Sequence, residues 1–192
     1  MNKRQFLGSA ALAAVAAPAS TLAAPAARGP ALLTVSGAIE RGNRGPFNPA
    51  LDQMMHKQQV SFERAWAFDF AELAALPART IRPTLEYDGK AHELRGPLLL
   101  DVLARAGARV GDAGKFLLRA VDGYAVELSG KQARSLGFIV ATHLDGQPMP
   151  LGGLGPLWAV YDADRVPEMA AKPLNARFGN CPWALYHVAV QA

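Results

Sequence analysis

The chain has 192 residues, 51% apolar and 8% aromatic, with 20 basic and 16 acidic side chains and a formal charge of +4. That length allows one domain with a real hydrophobic core. Two of the basic residues, Lys3 and Arg4, fall in a segment expected to be removed. The excess of base left behind, with no Lys/Arg run and no basic stripe interleaved with aromatics, excludes a nucleic-acid partner.

Residues 1–26 read as a secretory signal. Lys3 and Arg4 form a basic front, Phe6 to Ala17 a short apolar stretch, and Ala24-Pro25-Ala26 an A-x-A cleavage site. The apolar stretch is too short to span a bilayer as a helix. Lys3-Arg4-Gln5-Phe6-Leu7 is also similar to a degenerate twin-arginine signal, so either export route is open. The expectation is a periplasmic protein with no direct membrane insertion once the signal is gone. Residues 27–31 read as an Ala/Pro linker and 32–192 as a single domain.

Leu32, Val35 and Ile39 mark a first strand, and the Gly-, Asn- and Pro-rich stretch from Arg41 to Pro49 a loop. Ala50 to His56 fits a short helix. The alternation of Val60, Phe62, Trp66 and Phe68 predicts a strand. Asp69 is a good N-cap for a helix through Ala75, with Glu72 at the third helical position. Thr80 to Tyr87 alternates like an edge strand before the Asp88-Gly89 turn. Gly96-Pro97 is expected to open a helix whose buried face is Leu98, Leu99, Val102, Leu103 and Ala106, with Gly107 as its stop. Lys115–Ala120 and Tyr124–Leu128 read as strands around Asp122-Gly123. Further strands are expected at Ile139–Leu144, Leu157–Tyr161 and Trp183–Val190. Many short strands with two or three helices define an α+β class.

One cysteine, Cys181, excludes an internal disulfide. Beside Pro182 and Trp183 in an apolar run, it reads as buried, and no activating neighbour suggests a nucleophile. The glycines at Gly152, Gly153 and Gly155 are followed by a strand and lack the Lys-Ser/Thr of a phosphate cradle. His56, His92, His143 and His187 have no zinc spacing.

The order LRGPLLLDVLARAG, LLRAVDGYAVELS, FIVATHLDGQPMPLGGLGPLWAVY and a C-terminal Trp-containing strand resembles the sulfite-oxidase-like molybdopterin-binding domain family. The likeness is to its short periplasmic members and runs from about Leu32 onward, most specifically over Gly96 to Tyr161. It implies a mixed sheet with a few short helices. The enzymes of that family place a molybdenum-binding cysteine ahead of the Gly-Pro-Leu-Leu segment. Here the corresponding stretch, TIRPTLEYDGKAHELRGPL, has none, and a hydroxyl does not replace a soft thiolate well. Members lacking that cysteine resemble proteins that bind a free reduced pterin. They report to the periplasmic region of a membrane partner, a cyclic di-GMP enzyme or a histidine kinase.

A pterin site needs an aromatic face and a few fixed polar groups in a mostly apolar pocket. The resemblance implies such roles for Asp122 and Tyr124, for Gly155, Trp158 and Tyr161, and for Arg177 and Asn180 in the loop before the final strand. Arg82 and Thr84 lie where the missing metal-ligand loop belongs. Each has a plain alternative: a β-turn for Asp122 and Tyr124, a core position for Trp158, a solvated loop for Arg177 and Asn180. Trp183 reads as core. The leading expectation is a non-catalytic, metal-free pterin-binding sensor or accessory module. The alternatives are a molybdenum-cofactor oxidoreductase, whose molybdopterin the missing cysteine opposes, and a ligand-free interaction scaffold.

Overall fold

The structure is a computed structural model that describes residues 29–191. The signal expected at 1–26 and the first part of the linker lie outside the described residues. The first third contains β1 (Leu33–Gly37), α1 (Gln53–Lys57), β2 (Ala65–Phe68), α2 (Phe70–Ala74) and β3 (Ala78–Ile81). There follow β4 (Leu94–Pro97), α3 (Leu99–Arg105), β5 (Lys115–Ala120), β6 (Ala125–Ser129) and α4 (Gly130–Leu136). The last third holds β7 (Ile139–Ala141), β8 (His143–Leu144), β9 (Gln147–Pro148), β10 (Trp158–Val160), α5 (Pro167–Ala170) and β11 (Leu185–Val190).

The capping signals behave as their chemistry dictates. Asp69 accepts from the Glu72 backbone N–H at 2.8 Å and the Glu72 carboxylate accepts from the Asp69 N–H at 3.2 Å, so α2 starts where expected. The same device opens α4, a helix the hydrophobic pattern does not reveal. Ser129 Oγ accepts from the Gln132 N–H at 3.2 Å, the Gln132 side chain accepts from the Ser129 N–H at 2.9 Å, and Gly137 ends the helix at φ 67°.

Several expected boundaries move: the strand expected at Ile139–Leu144 divides into β7 and β8, the last strand begins at Leu185 and not at Trp183, and three further shifts follow. Gly96-Pro97 ends β4 instead of opening a helix. A Cβ on Gly96 would collide with the Val140 carbonyl, so this glycine serves the close approach of β4 to β7, and the helix begins at Leu99. The alternation from Val60 to Phe68 belongs to a strand only over Ala65–Phe68; residues 60–64 are irregular backbone that follows a turn in which Gln59 takes a left-handed φ of 56°. Val60 and Phe62 still point inward, from irregular backbone. Likewise β3 ends at Ile81, and residues 82–93 form a loop that carries Pro83, which has no N–H to give a sheet.

The main sheet has the order β2-β1-β11-β5-β6, with β1 and β11 parallel and the other pairs antiparallel. A second, antiparallel sheet runs β3-β4-β8-β9, and β7 pairs with β10. One face of the main sheet presents Leu33, Val35, Phe116, Leu118 and Val188 to Leu99, Val102 and Leu103 of α3, all fully buried. The opposite face is covered by a smaller cluster of Met55, Val60, Phe62, Ala65 and Tyr186. The class is α+β, as the residue pattern implies. The topology leaves the β5–β6 turn, the β3–β4 loop and the segment before β11 at one end of the molecule, around one cavity.

Candidate ligand-binding site

The cavity has a volume of about 290 Å³, at the small end of ligand pockets (~300 Å³ upward) and suited to one flat bicyclic ring. The β5–β6 turn supplies Ala120, Asp122 and Tyr124; the β3–β4 loop supplies Glu86 and Tyr87; the segment before β11 supplies Asn175, Phe178, Gly179, Cys181 and Trp183. Three aromatic side chains form its rim and are unusually exposed: Tyr87 at 55%, Tyr124 at 49% and Trp183 at 39%. Large exposed aromatics around a hollow mark a surface shaped for another molecule.

Each wall has a local cause. Gly123, at φ 94°, allows the tight turn, and the Asp122 carboxylate accepts from the Tyr124 N–H at 2.9 Å, which fixes its shape. The Tyr124 hydroxyl donates to the Gly179 carbonyl and so ties this turn to the segment before β11. The β3–β4 loop is pinned at its far end by His92, whose Nδ1 lies 2.6 Å from Asp145 and Nε2 3.0 Å from Asp88. A carboxylate only accepts, so both contacts are hydrogen bonds only when both ring nitrogens carry protons. The hydrogen bonds to Asp145 and Asp88 accordingly raise the His92 pKa above its usual value.

Of the residues singled out in the sequence, Asp122 and Tyr124 reach the cavity wall, and Asn180 is exposed next to its wall residues Gly179 and Cys181. Several others brace it from behind. Trp158, fully buried, donates its indole N–H to the Cys181 carbonyl at 2.9 Å. Tyr161, 1% exposed, donates its hydroxyl to the Arg177 carbonyl at 2.7 Å. The Arg177 guanidinium is consumed by Asp164 at 2.7 Å and by the Lys172 and Ala170 carbonyls. Thr84 donates its backbone N–H to the other Asp164 oxygen at 2.6 Å. Burial works to raise the Asp164 carboxyl, but hydrogen bonds from Thr84 and the Arg177 charge outweigh it and hold the pKa below the ordinary value. Trp158, Tyr161, Arg177 and Thr84 thus have their polar groups occupied within the protein and hold loop backbone in place. Gly155 is buried against Met149, and Arg82 is exposed and paired with Glu93 at 2.6 Å; neither lines the cavity.

Trp183 is the reverse case. Its place in an apolar run suggests core, yet it stands on the rim, because Ala184 takes a left-handed φ of 49° just before β11 and breaks the strand alternation. Phe178 and Gly179 belong to the loop before the final strand, whose approach to a ligand the resemblance implies; Glu86, Tyr87 and Asn175 were not legible as site residues. One signal was available: Glu86-Tyr87-Asp88-Gly89 repeats the association of carboxylate, aromatic and glycine turn seen at Asp122-Gly123-Tyr124. Cys181 is buried as expected, at 3% exposed, but it lies against the cavity beside Glu86 and Tyr87, residues 95 and 94 positions earlier in the chain.

The donor set can be tested against a molybdenum-bearing pterin, which needs a thiolate for the metal and cations for its phosphate. Burial first, and the charge of Glu86 as well, push the Cys181 thiol up, although the Tyr161 N–H bonded to it works the other way. That is the opposite of the electropositive setting that favours a thiolate. No Lys or Arg lines the cavity. Among the described residues no three His, Cys, Asp or Glu side chains converge as metal ligands. These residues do not fit the metal-bearing group. They do suit a flat ring with a hydrogen-bond-donor edge.

No family model matches the chain, and no curated protein does. Among solved structures it is similar to the sulfane dehydrogenase SoxCD from Paracoccus pantotrophus, with a TM-score of 0.54 and 12% sequence identity over 83% of this chain. The chain spans 37% of the length of that relative. The fold is therefore α+β of the sulfite-oxidase type, a distant molybdopterin-oxidoreductase-like fold.

Proposed function

We propose that this protein is an exported binding module for a reduced pterin. It uses a sulfite-oxidase-type fold for recognition without molybdenum catalysis, and it signals occupancy to the periplasmic region of a membrane signalling protein, a cyclic di-GMP enzyme or a histidine kinase. One observation carries the binding part: Tyr87, Tyr124 and Trp183 surround a hollow of about 290 Å³ whose wall also carries Glu86 and Asp122. Aromatic faces stack a planar ring, and carboxylates accept from the amino and ring N–H groups of a pterin's pyrimidine edge. The export and partner parts are supported by the sequence resemblance and by the basic-apolar leader. The mature protein, purified from its own periplasm and extracted, should yield a pterin near one per chain and no molybdenum. Near-stoichiometric molybdenum would overturn the non-catalytic reading; a clean extract with no pterin uptake on titration would leave the fold as an interaction scaffold.

A further inference from the structure

Building on the pterin-binding reading, we infer that the cavity selects by charge: it takes an uncharged or cationic flat heterocycle and rejects one with a phosphate or carboxylate tail, with Glu86 and Asp122 as the specificity-determining residues.

The cavity wall holds two carboxylates and no Lys, Arg or His. The ion pairs among the described residues are Arg44–Asp52, Arg82–Glu93, His92 with Asp88 and Asp145, Arg109–Glu40, Lys115–Glu127, Arg134–Asp112 and Arg177–Asp164. Neither Glu86 nor Asp122 belongs to any of them. Asp122 spends one oxygen on the Tyr124 N–H. Arg177, two residues before the wall residue Gly179, is held by Asp164 and by the Lys172 and Ala170 carbonyls. The wall of the hollow therefore presents two carboxylates, neither of them in an ion pair and with no cation beside them on the wall.

Two neighbouring groups register that charge. The Tyr87 phenol is pushed up to about 12, by burial first and then by the adjacent Glu86. Glu86 adds to the burial that raises the Cys181 thiol. A site that resists forming a second anion on its own wall resists an anionic ligand for the same reason. Between exposed-site and buried-site screening, a like charge a few ångströms from a carboxylate costs on the order of tenfold in affinity. Aromatic rims with carboxylates beside them also favour a cation, through the ring faces and the charge together.

The test is a matched pair. The mature protein is titrated with 6-hydroxymethyl-tetrahydropterin and with its phosphate monoester, by calorimetry, at low and high salt. The uncharged compound should bind at least about tenfold tighter. The gap should shrink in high salt and shrink in Glu86→Gln and in Glu86→Gln/Asp122→Asn, with folding checked by circular dichroism. Equal or tighter binding of the phosphate ester would overturn the inference. If neither pterin binds, the pterin reading fails, and charge selection is then read with benzamidine against benzoate. Benzamidine binding that depends on Glu86 sustains the selectivity; equal binding of both, or of neither, ends it.

Discussion

Ser36 Oγ and His187 Nε2 lie 2.9 Å apart across the parallel pair of the first and last strands, both side chains buried. Phe62 stacks on the imidazole with ring centroids 6.4 Å apart, and Arg119 is the cross-strand neighbour of His187. His187 Nδ1 has no hydrogen-bond partner. Burial first, then the charges of Arg119 and Arg44, push the imidazole down to about 4.

That depression makes the fold acid-sensitive. Below the ordinary histidine value of 6.5 the unfolded chain takes up a proton that the folded chain refuses. Stability contributed by neutral His187 is therefore full above about 6.5 and is lost as pH falls toward about 4, by about 3 kcal/mol across the window. Urea unfolding at a series of pH values should show this slope. His187→Gln should flatten it, and a wild type with no slope in that window would contradict the assignment.

The His92 clamp has the opposite sign. Its folded pKa is raised, so the stability from the pair of hydrogen bonds that the protonated ring donates to Asp88 and Asp145 is present below 6.5 and is lost as pH rises through the folded value. NMR titration of the His92 ring should give a pKa above 6.5, and Asp145→Asn should bring it back toward the ordinary value. The amide shifts of Glu86 and Tyr87 should titrate along with the ring, because both belong to the clamped loop.

The two tryptophans of the site region should separate stability from binding. Trp158→Ala empties a fully buried position and strands the Cys181 carbonyl, at a cost of about 3 to 5 kcal/mol in unfolding free energy. Trp183→Ala, on the rim, should change stability by less than about 1 kcal/mol and weaken pterin binding severalfold. Thermal melts beside ligand titrations check both. A Trp183 variant that binds as the wild type does would remove that ring from the site.

Cys181 should react slowly with iodoacetamide in the native protein and quickly in urea, since burial holds it as the thiol. Bound ligand should slow the native reaction further, because the cysteine lies on the cavity wall. Mass spectrometry of time points reads both effects.

Local chemistry was legible wherever it was self-contained. The Asp69–Glu72 capping box, the Asp122-Gly123 turn and the apolar face of α3 each depend on residues within a few positions of one another. What escaped depends on distant backbone. Gly96 looks like a helix opener until β7 is placed against it. Arg177 and Tyr161 look like ligand contacts until Asp164 and the loop carbonyls claim their polar atoms. The cavity joins residues from three segments between Glu86 and Trp183, and no spacing rule along the chain links them. The α4 capping box at Ser129 and Gln132 stands in the sequence, but the helix behind it buries only Gly130 and Ala133 and so carries no large apolar period.

The place of β11 sets an order on how the molecule can be made. Residues 185–190 fill the gap between β1 and β5, strands laid down far earlier in synthesis. While the ribosome is still translating the 170s, β1 and β5 each have a bare hydrogen-bonding edge, and no local hairpin can close the gap. Such long-range closure is slow and leaves edges open to wrong partners. A chain cut short before Leu185 should therefore be a substrate for chaperones and proteases, with the cavity lost along with the sheet that supports it.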